Sequence, residues 1–211
     1  MNREFALSLL TEKRELLKKI LEYNHLDGAT VLPDEIMNSG SAQRFLDNHR
    51  LIRKLSKVSE GYFDFDSPAS RFCFCSVEQL ELLRKLLCAS ICSQILITEI
   101  KKEQVTAYRE FLGEDIYAFG LRRGSLYIPA YLKNRIVSSF SSSEQAVKES
   151  GDAVLSNILK NASADCIEKM GFKPESTVSL DLSDSDERLI FDCTIKILCL
   201  EIDSSCQNIF N

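Results

Sequence analysis

The sequence predicts an all-α protein with an irregular multi-helix architecture. The 211-residue chain contains only four prolines and eight glycines, which leaves long segments without helix breakers. Apolar residues recur at helical spacing in most of these segments, and serine caps or glycine stops flank several of them. We expect one helical domain over residues 1–211, in which residues 1–60 could form a small N-terminal lobe. A minor extended ribbon around residues 61–75 or near the C-terminus is the alternative to a fully helical chain.

The N-terminal region predicts three helices. In the first, apolar residues recur at helical spacing among lysine and glutamate residues. Pro33 can start the second helix, and Ser41 can cap the third. The three helices cover residues 4–23, 34–37 and 42–58. The segment 61–75 alternates aromatic residues with Asp, Ser and Pro, so we expect a loop there.

The central region predicts the core of the protein. Ser76 and Gln79 have the spacing of a capping box, in which a hydroxyl and a side-chain amide accept hydrogen bonds from N-terminal backbone N–H groups. This pattern opens a helix that extends to Ile100 and is apolar on nearly all sides. Helices of that kind are buried, so we expect this one at the centre of the core.

A helix-to-helix corner follows the core helix. Residues 102–112 predict a helix that stops at Gly113, because glycine tolerates the left-handed conformation of a helix end. Two acidic residues then open a short helix over 114–121, where the helix dipole favours their charge. A turn covers residues 124–129. We expect four side chains of this corner to be mainly core: Leu112, Ile116, Phe119 and Leu121.

The C-terminal region predicts further helices. The elements in order are a short helix over 130–137, a serine-rich hinge over 138–143, a helix over 144–160, and a turn or two over 165–170. Residues 174–186 carry acids and serines without a period, so we expect an exposed loop. Residues 187–202 fit either a buried helix or a strand, and the helical surroundings favour the helix.

Composition and charge narrow the range of functions. The net charge of −5 works against non-specific binding to nucleic acid and favours a protein partner. No secretory signal is evident, and the longest charge-free apolar run, 86–98, is shorter than the about 20 residues that span a bilayer. Most of the eight cysteines lie in apolar runs, which suggests a reducing compartment. We expect a cytoplasmic protein with no membrane insertion.

The sequence displays no catalytic signature. Only two histidines are present, His25 and His49, and no nucleophile elbow, phosphate-cradling glycine loop or zinc-protease motif occurs. We therefore expect no enzymatic activity, no cofactor and no small-molecule substrate. A zinc site is an alternative that would use Cys73, Cys75, Cys88 and Cys92. Structural zinc sites usually have tighter cysteine pairs in loop-rich modules, so we expect thiols without metal.

A basic helix face offers a second alternative. It consists of Arg44, Arg50, Arg53, Lys54 and Lys57. Such a face could contact RNA, but it lacks the interleaved aromatic residues on which bases stack, and the whole chain is acidic. We favour a solvated helix face. A helical regulator and an RNA-contacting module are the rival functional interpretations.

Two stretches resemble the K component of the type III secretion sorting platform, a family of small cytoplasmic adaptors in bacterial injectisomes. The first, residues 20–37, is ILEYNHLDGATVLPDEIM, a helix end followed by a hydrophobic–proline segment and a short helix. The second, residues 86–128, is LLCASICSQILITEIKKEQVTAYREFLGEDIYAFGLRRGSLYI. It is similar to the family's small-residue-rich apolar helix, polar helix ending in Leu-Gly-Glu, short aromatic helix, arginine and turn.

The resemblance implies a non-enzymatic scaffold. Its expected partners are the cytoplasmic domain of the inner-membrane ring protein and the pod subunit that sorts cargo. The expected location is the cytoplasm, with attachment to the inner membrane only through protein partners. Because the two matching stretches lie there, the expected partner contacts are Leu32, Asp34, Met37, Glu114, Arg122 and Arg123.

Overall fold

A computed structural model describes residues 8–9, 12–13, 15–16, 19–20, 65, 67–176 and 178–210. All regular structure in these residues is helical, which confirms the predicted all-α class. The extended ribbon considered for residues 61–75 is wrong at the described positions, because Pro68–Phe74 forms a 3₁₀ helix. In the same ranges, no helix combines the length and apolarity needed to cross a membrane.

Several predicted features lie outside the described residues. They are the helices over 34–37 and 42–58, both histidines, the basic helix face, and the expected contacts Leu32, Asp34 and Met37. The helix over 4–23 is described at a few positions. Ser8 and Leu9 are helical, but Glu12 is in a turn and Lys13 is in no regular element. The N–H groups of both Glu12 and Lys13 donate to the Ser8 carbonyl, so one continuous helix over 4–23 is wrong.

The chain divides into two compact units, residues 1–74, 162–170 and 207–211, and residues 75–161 and 171–206. The second unit contains α1 (Val77–Ile91), α2 (Ser93–Thr98), α3 (Lys102–Leu112), α4 (Glu114–Arg122), α5 (Ala130–Val137), α6 (Ser143–Leu159) and α8 (Asp184–Ile197). Its shorter elements are 3₁₀ turns at Gly124–Leu126 and Ser204–Cys206 and a π-helical turn at Leu198–Ile202. The first unit contains the Pro68–Phe74 helix, α7 (Ala164–Met170) and α9 (Gln207–Phe210).

Within the first unit, the 3₁₀ helix contacts the C-terminal residues. The Arg71 side chain is buried and donates to the carbonyls of Phe65 (3.2 Å) and Ile209 (3.1 Å). The Phe72 ring packs against Phe210 with centroids 4.9 Å apart. A buried arginine that binds two backbone carbonyls links segments far apart in sequence, which explains why a loop-like composition becomes ordered here.

The capping box predicted for α1 is present. The Gln79 N–H donates to Ser76 Oγ at 3.2 Å, and the Ser76 N–H donates to Gln79 Oε1 at 2.8 Å. The helix is shorter than predicted, because it is interrupted at Cys92 and its continuation α2 ends at Thr98. Every residue from Leu86 to Cys92 is buried, which confirms α1 as a core helix.

Helix α1 is the centre of the second unit, because several other helices pack against it. Glycines at two of these contacts allow a close approach. On one side, α6 lies against α1 at Gly151, where an added Cβ would meet the Arg84 carbonyl. On another, α4 and the turn after it approach α1 at Gly120 and Gly124, next to Ala89. Small residues at these crossings let the helix backbones come close.

Most other predicted elements of the second unit are confirmed. Helices α3, α4, α5 and α6 lie within about a residue of their predicted bounds, which is the usual uncertainty of helix ends. The last segment is the helix α8, not a strand. The loop predicted over 174–186 is too long, because Ser183 caps α8 and Asp186 lies in its first turn. Asp186 is buried there and accepts hydrogen bonds from Tyr131 and Arg135.

Candidate functional site

The α3–α4 corner is the part of the predicted site that the structure describes. Gly113 joins the two helices with φ 87° and ψ 153°, a backbone conformation open almost only to glycine. It ends α3 by donating its N–H to the Arg109 carbonyl at 2.8 Å. The sequence predicted this glycine stop, and its role follows from the conformation alone.

The three described contact residues do not form one cluster. Glu114 is at the first residue of α4, with its side chain 73% exposed and 3.7 Å from Arg109. Arg122 is the last residue of α4 and is exposed. Seven residues of helix lie between them, and the eight helical rises from Glu114 to Arg122 place them about 12 Å apart along the helix axis. The corner therefore presents two separate charged positions.

The buried face of α4 differs from the predicted one. Leu112 and Phe119 are buried, as predicted, but Leu121 is 38% exposed and Ile116 is partly exposed. Tyr117 and Gly120 take the buried positions instead. Gly120 takes a buried position because α4 approaches Ala89 and Leu96 closely there.

Arg123 belongs to an ordered cluster with Tyr127 and Glu201. Its guanidinium lies 2.9 Å from Glu201 Oε2, and the Tyr127 hydroxyl donates to the other oxygen of the same carboxylate. Arg123 also stacks over the Phe119 ring at 5.7 Å, and that ring lies 5.7 Å from the Tyr127 ring. We call Arg123, Tyr127 and Glu201 the corner cluster.

The corner cluster holds its members in fixed positions. Glu201 is only 11% exposed, whereas the Arg123 side chain is 58% exposed. Burial, followed by the hydrogen bond and the charge of Glu201, raises the pKa of Tyr127 to about 12, so the phenol stays protonated and continues to donate. Arg123 is therefore engaged by Glu201 within the protein, although much of its side chain is exposed.

A buried lysine lies behind the turn that follows α4. Lys133 of α5 is 8% exposed, and its Nζ donates to Ser93 Oγ at 3.2 Å and to the Ser125 carbonyl at 3.4 Å. Burial lowers the pKa of Lys133. No carboxylate of the described residues pairs with it. The lysine connects α5, α2 and the turn that presents Leu126.

The cysteines of the core helix are placed for packing. Burial raises the pKa of Cys88 to about 11 and that of Cys92 to about 12, so both remain thiols near neutral pH. The Cys88 sulfur accepts the Gly151 N–H at 3.2 Å, and the Cys92 sulfur lies 3.7 Å from Ser150 Oγ. Across the described positions, no group of three or more His, Cys, Asp or Glu side chains could hold a metal ion.

Sequence reasoning missed Tyr127, Glu201 and Lys133. Glu201 had one usable signal, since it is the single acid in the apolar run from Ile197 to Ile202. A lone acid in such a run needs a partner when it is buried. The partner, Arg123, is 78 residues away along the chain, a separation that no local pattern reveals.

Comparison with known proteins adds no further assignment. The chain matches no protein-family model, no curated protein and no solved structure.

Proposed function

We propose that this protein is a non-enzymatic adaptor of the sorting platform of a type III secretion system. In this role it links the cytoplasmic domain of the inner-membrane ring protein to the pod subunit. It acts in the cytoplasm and reaches the inner membrane only through these partners. The proposal rests on one observation, the resemblance of residues 20–37 and 86–128 to the family's patterns.

The fold of residues 86–128 is compatible with this resemblance. The small residues of the matching stretch have a structural purpose: Ala89 in α1 lies where Gly120 of α4 and Gly124 of the next turn approach. The Leu-Gly-Glu step is the α3–α4 junction, and the arginines begin the turn that the corner cluster fixes. The matching stretch thus forms one continuous packed substructure within the second unit.

The geometry changes which residues should be tested as contacts. Reversing Arg123 would break its ion pair with Glu201, so any loss of binding could come from the fold. Arg122 is exposed and can be reversed alone. Glu114 is a separate candidate at the other end of α4. The contacts Leu32, Asp34 and Met37 and the RNA-binding alternative fall on residues 21–64 and stay predictions.

The test is a reconstitution with purified full-length proteins. The protein is mixed with the ring protein's cytoplasmic domain and with the pod subunit, singly and together, and complexes are measured by calorimetry and by size-exclusion chromatography with light scattering. We expect binding to each partner and one three-component complex. An adaptor that binds neither partner, or binds them only in competition, overturns the proposal.

The Arg122→Glu variant then maps the corner. Arg188→Glu is its matched control, because Arg188 is also exposed and lies on a different helix, α8. We expect Arg122→Glu to weaken binding to one partner, since charges at an interface rim tune association rate and specificity. Arg188→Glu should leave both affinities unchanged. Equal affinities for the parent and Arg122→Glu would remove Arg122 from the interface.

A further inference from the structure

Three exposed leucines neighbour the members of the corner cluster along the chain. Leu121 is 38% exposed, Leu126 is 76% exposed and Leu200 is 64% exposed. Each lies within two residues of a cluster member: Leu121 before Arg123, Leu126 before Tyr127 and Leu200 before Glu201. Because Arg123 and Tyr127 both bind Glu201, three segments are held together: the end of α4 with Leu121, the turn with Leu126 and the π-helical turn with Leu200. We call Leu121, Arg122, Leu126 and Leu200 the leucine surface.

The leucine surface is ordered before any partner arrives. Leu126 is the last residue of a turn whose Ser125 carbonyl accepts a hydrogen bond from the buried Lys133. Gly124 places the same turn against α1, where an added Cβ would lie 3.0 Å from the Ala89 carbonyl. Exposed apolar side chains on a rigid support lose little conformational freedom on binding, which favours affinity.

The surface also has a definite charge. The Arg123 guanidinium and the Glu201 carboxylate neutralise one another. Arg122 is exposed and makes no ion pair within the described ranges. The leucine surface therefore carries a net positive charge on a chain whose overall charge is −5.

We propose that the leucine surface binds an acidic amphipathic helix of a partner protein. Apolar side chains of such a helix would pack on the leucines, and a carboxylate on its flank would pair with Arg122. Peptide segments commonly dock either by adding a strand to a sheet edge or by laying a helix on an apolar surface. The second mode fits, because residues 67–176 and 178–210 contain no strand.

A second copy of this chain is the weaker occupant. In a two-fold dimer the same surface meets itself, so Arg122 would face the region of its own counterpart. Two chains of charge −5 would also repel each other at long range. An acidic helix avoids both costs. The inference concerns the site of the proposed function and rests on it for the identity of the natural partner.

The test uses the full chain and a pair of designed peptides. Both peptides are fluorescently labelled helices of about five turns, with leucine on one face; one carries glutamate and the other lysine on the flanks. Fluorescence anisotropy should show that the glutamate peptide binds at least about tenfold more tightly, and that added salt narrows the difference. Equal binding of the two peptides overturns the proposal.

Variants then locate the binding. Leu126→Asp should weaken the glutamate peptide by at least about tenfold, because it places a carboxylate where an apolar contact is needed. Arg122→Glu should shift the preference toward the lysine peptide. Val77→Asp is the control: Val77 is 41% exposed, and an acid at the first residue of α1 suits the helix dipole. A loss for Val77→Asp as large as that for Leu126→Asp overturns the proposal.

Two outcomes separate this inference from the proposed function. If neither peptide binds but the ring protein or pod subunit does, the leucine surface is wrong while the adaptor function stands. If the glutamate peptide binds but both secretion proteins fail, the adaptor function is wrong while the surface stands. Sedimentation velocity covers the remaining occupant: a dimer that Leu126→Asp dissociates means that a second copy uses the surface, which also overturns the proposal.

Discussion

Helix α1, the central helix, is packed by α6 on one side and by α4 on another. The glycines at these two crossings face different kinds of atoms. At Gly151 of α6, an added Cβ would lie 2.1 Å from the Arg84 carbonyl oxygen and 2.9 Å from the Cys88 sulfur. Backbone atoms of α1 cannot move without shifting the helix. The α6 side is therefore a rigid contact between two buried helix faces.

The α4 side is more adaptable at Gly120, where the nearest atom belongs to a side chain. An added Cβ there would lie 2.7 Å from the end of the Leu96 side chain, 3.2 Å from the Ala89 Cβ and 3.3 Å from the Ala89 carbonyl oxygen. At Gly124, on the same side, the nearest atom is the Ala89 carbonyl oxygen at 3.0 Å. A leucine methyl can move by rotation, whereas a carbonyl in a helix cannot. The α4 side also ends in exposed leucines and the corner cluster. The α6 side therefore maintains stability, whereas the α4 side also carries the exposed leucines of the proposed docking surface.

The largest effect is expected for Gly151→Ala. Both glycines lie inside helices, so alanine gains about 1 kcal/mol of helix propensity at either position. At Gly151 the clash with the Arg84 backbone exceeds this gain, since overpacking a dense core typically costs about 1–3 kcal/mol and occasionally more. We expect a net loss of about 2 kcal/mol in the free energy of unfolding, measured by urea denaturation.

Gly120→Ala is the matched variant on the α4 side. The propensity gain offsets most of the cost of moving Leu96, so the free energy of unfolding should change by less than about 1 kcal/mol. If Gly120→Ala destabilises as much as Gly151→Ala, the α4 side is as rigid as the α6 side.

Lys133 places a buried charge against the turn that follows α4. Its pKa is lowered in the folded protein relative to 10.5, so the unfolded state binds more protons between the two pKa values. The energetic penalty of burying the charge is full below the folded pKa and is relieved as pH rises through it. The stability of the parent should therefore increase relative to Lys133→Met as pH rises from the folded pKa toward 10.5.

Lys133→Met also has an expected effect at neutral pH. Methionine fills a similar volume without the charge, but it leaves Ser93 and the Ser125 carbonyl without their donor. These effects oppose each other, so we expect a change within about 1 kcal/mol. Lys173→Met is the control at an exposed lysine. A stability difference that does not vary with pH for Lys133→Met would show that the folded and unfolded pKa values are equal.

Local signals explain what the sequence could predict. The Ser76–Gln79 capping box, the Gly113 stop and the start of α5 after Pro129 depend on neighbouring residues, and all three are present. The break at Cys92 had no such signal. Leu121 was assigned to the core from helical spacing, but the face that α4 buries is chosen by Ala89 and Leu96 in other helices.

The candidate site was less predictable for the same reason. The sequence drew attention to Arg122 and Arg123 as a pair of cations. Only the pairing with Glu201 distinguishes them, and that contact depends on how the chain returns from α8 through its π-helical turn. Burial of Lys133 likewise depends on three elements meeting around its ammonium group. A charged residue in a sequence does not reveal whether it lies inside the fold.

The smallest expected effect is that of Tyr108→Phe, which forms a matched pair with Tyr127→Phe. Tyr108 of α3 is completely buried near Cys92, and its hydroxyl has no hydrogen-bond partner among the residues described. Tyr108→Phe removes an unpaired polar group, so it should stabilise the protein by about 0.5 kcal/mol or leave it unchanged.

Tyr127→Phe removes a donor from Glu201 and should destabilise the protein by about 1 kcal/mol. Thermal and urea unfolding of both variants show whether each one is more or less stable than the parent. A destabilised Tyr108→Phe would mean that its hydroxyl binds an ordered water, and an unchanged Tyr127→Phe would mean that the corner cluster does not hold the leucine surface in place.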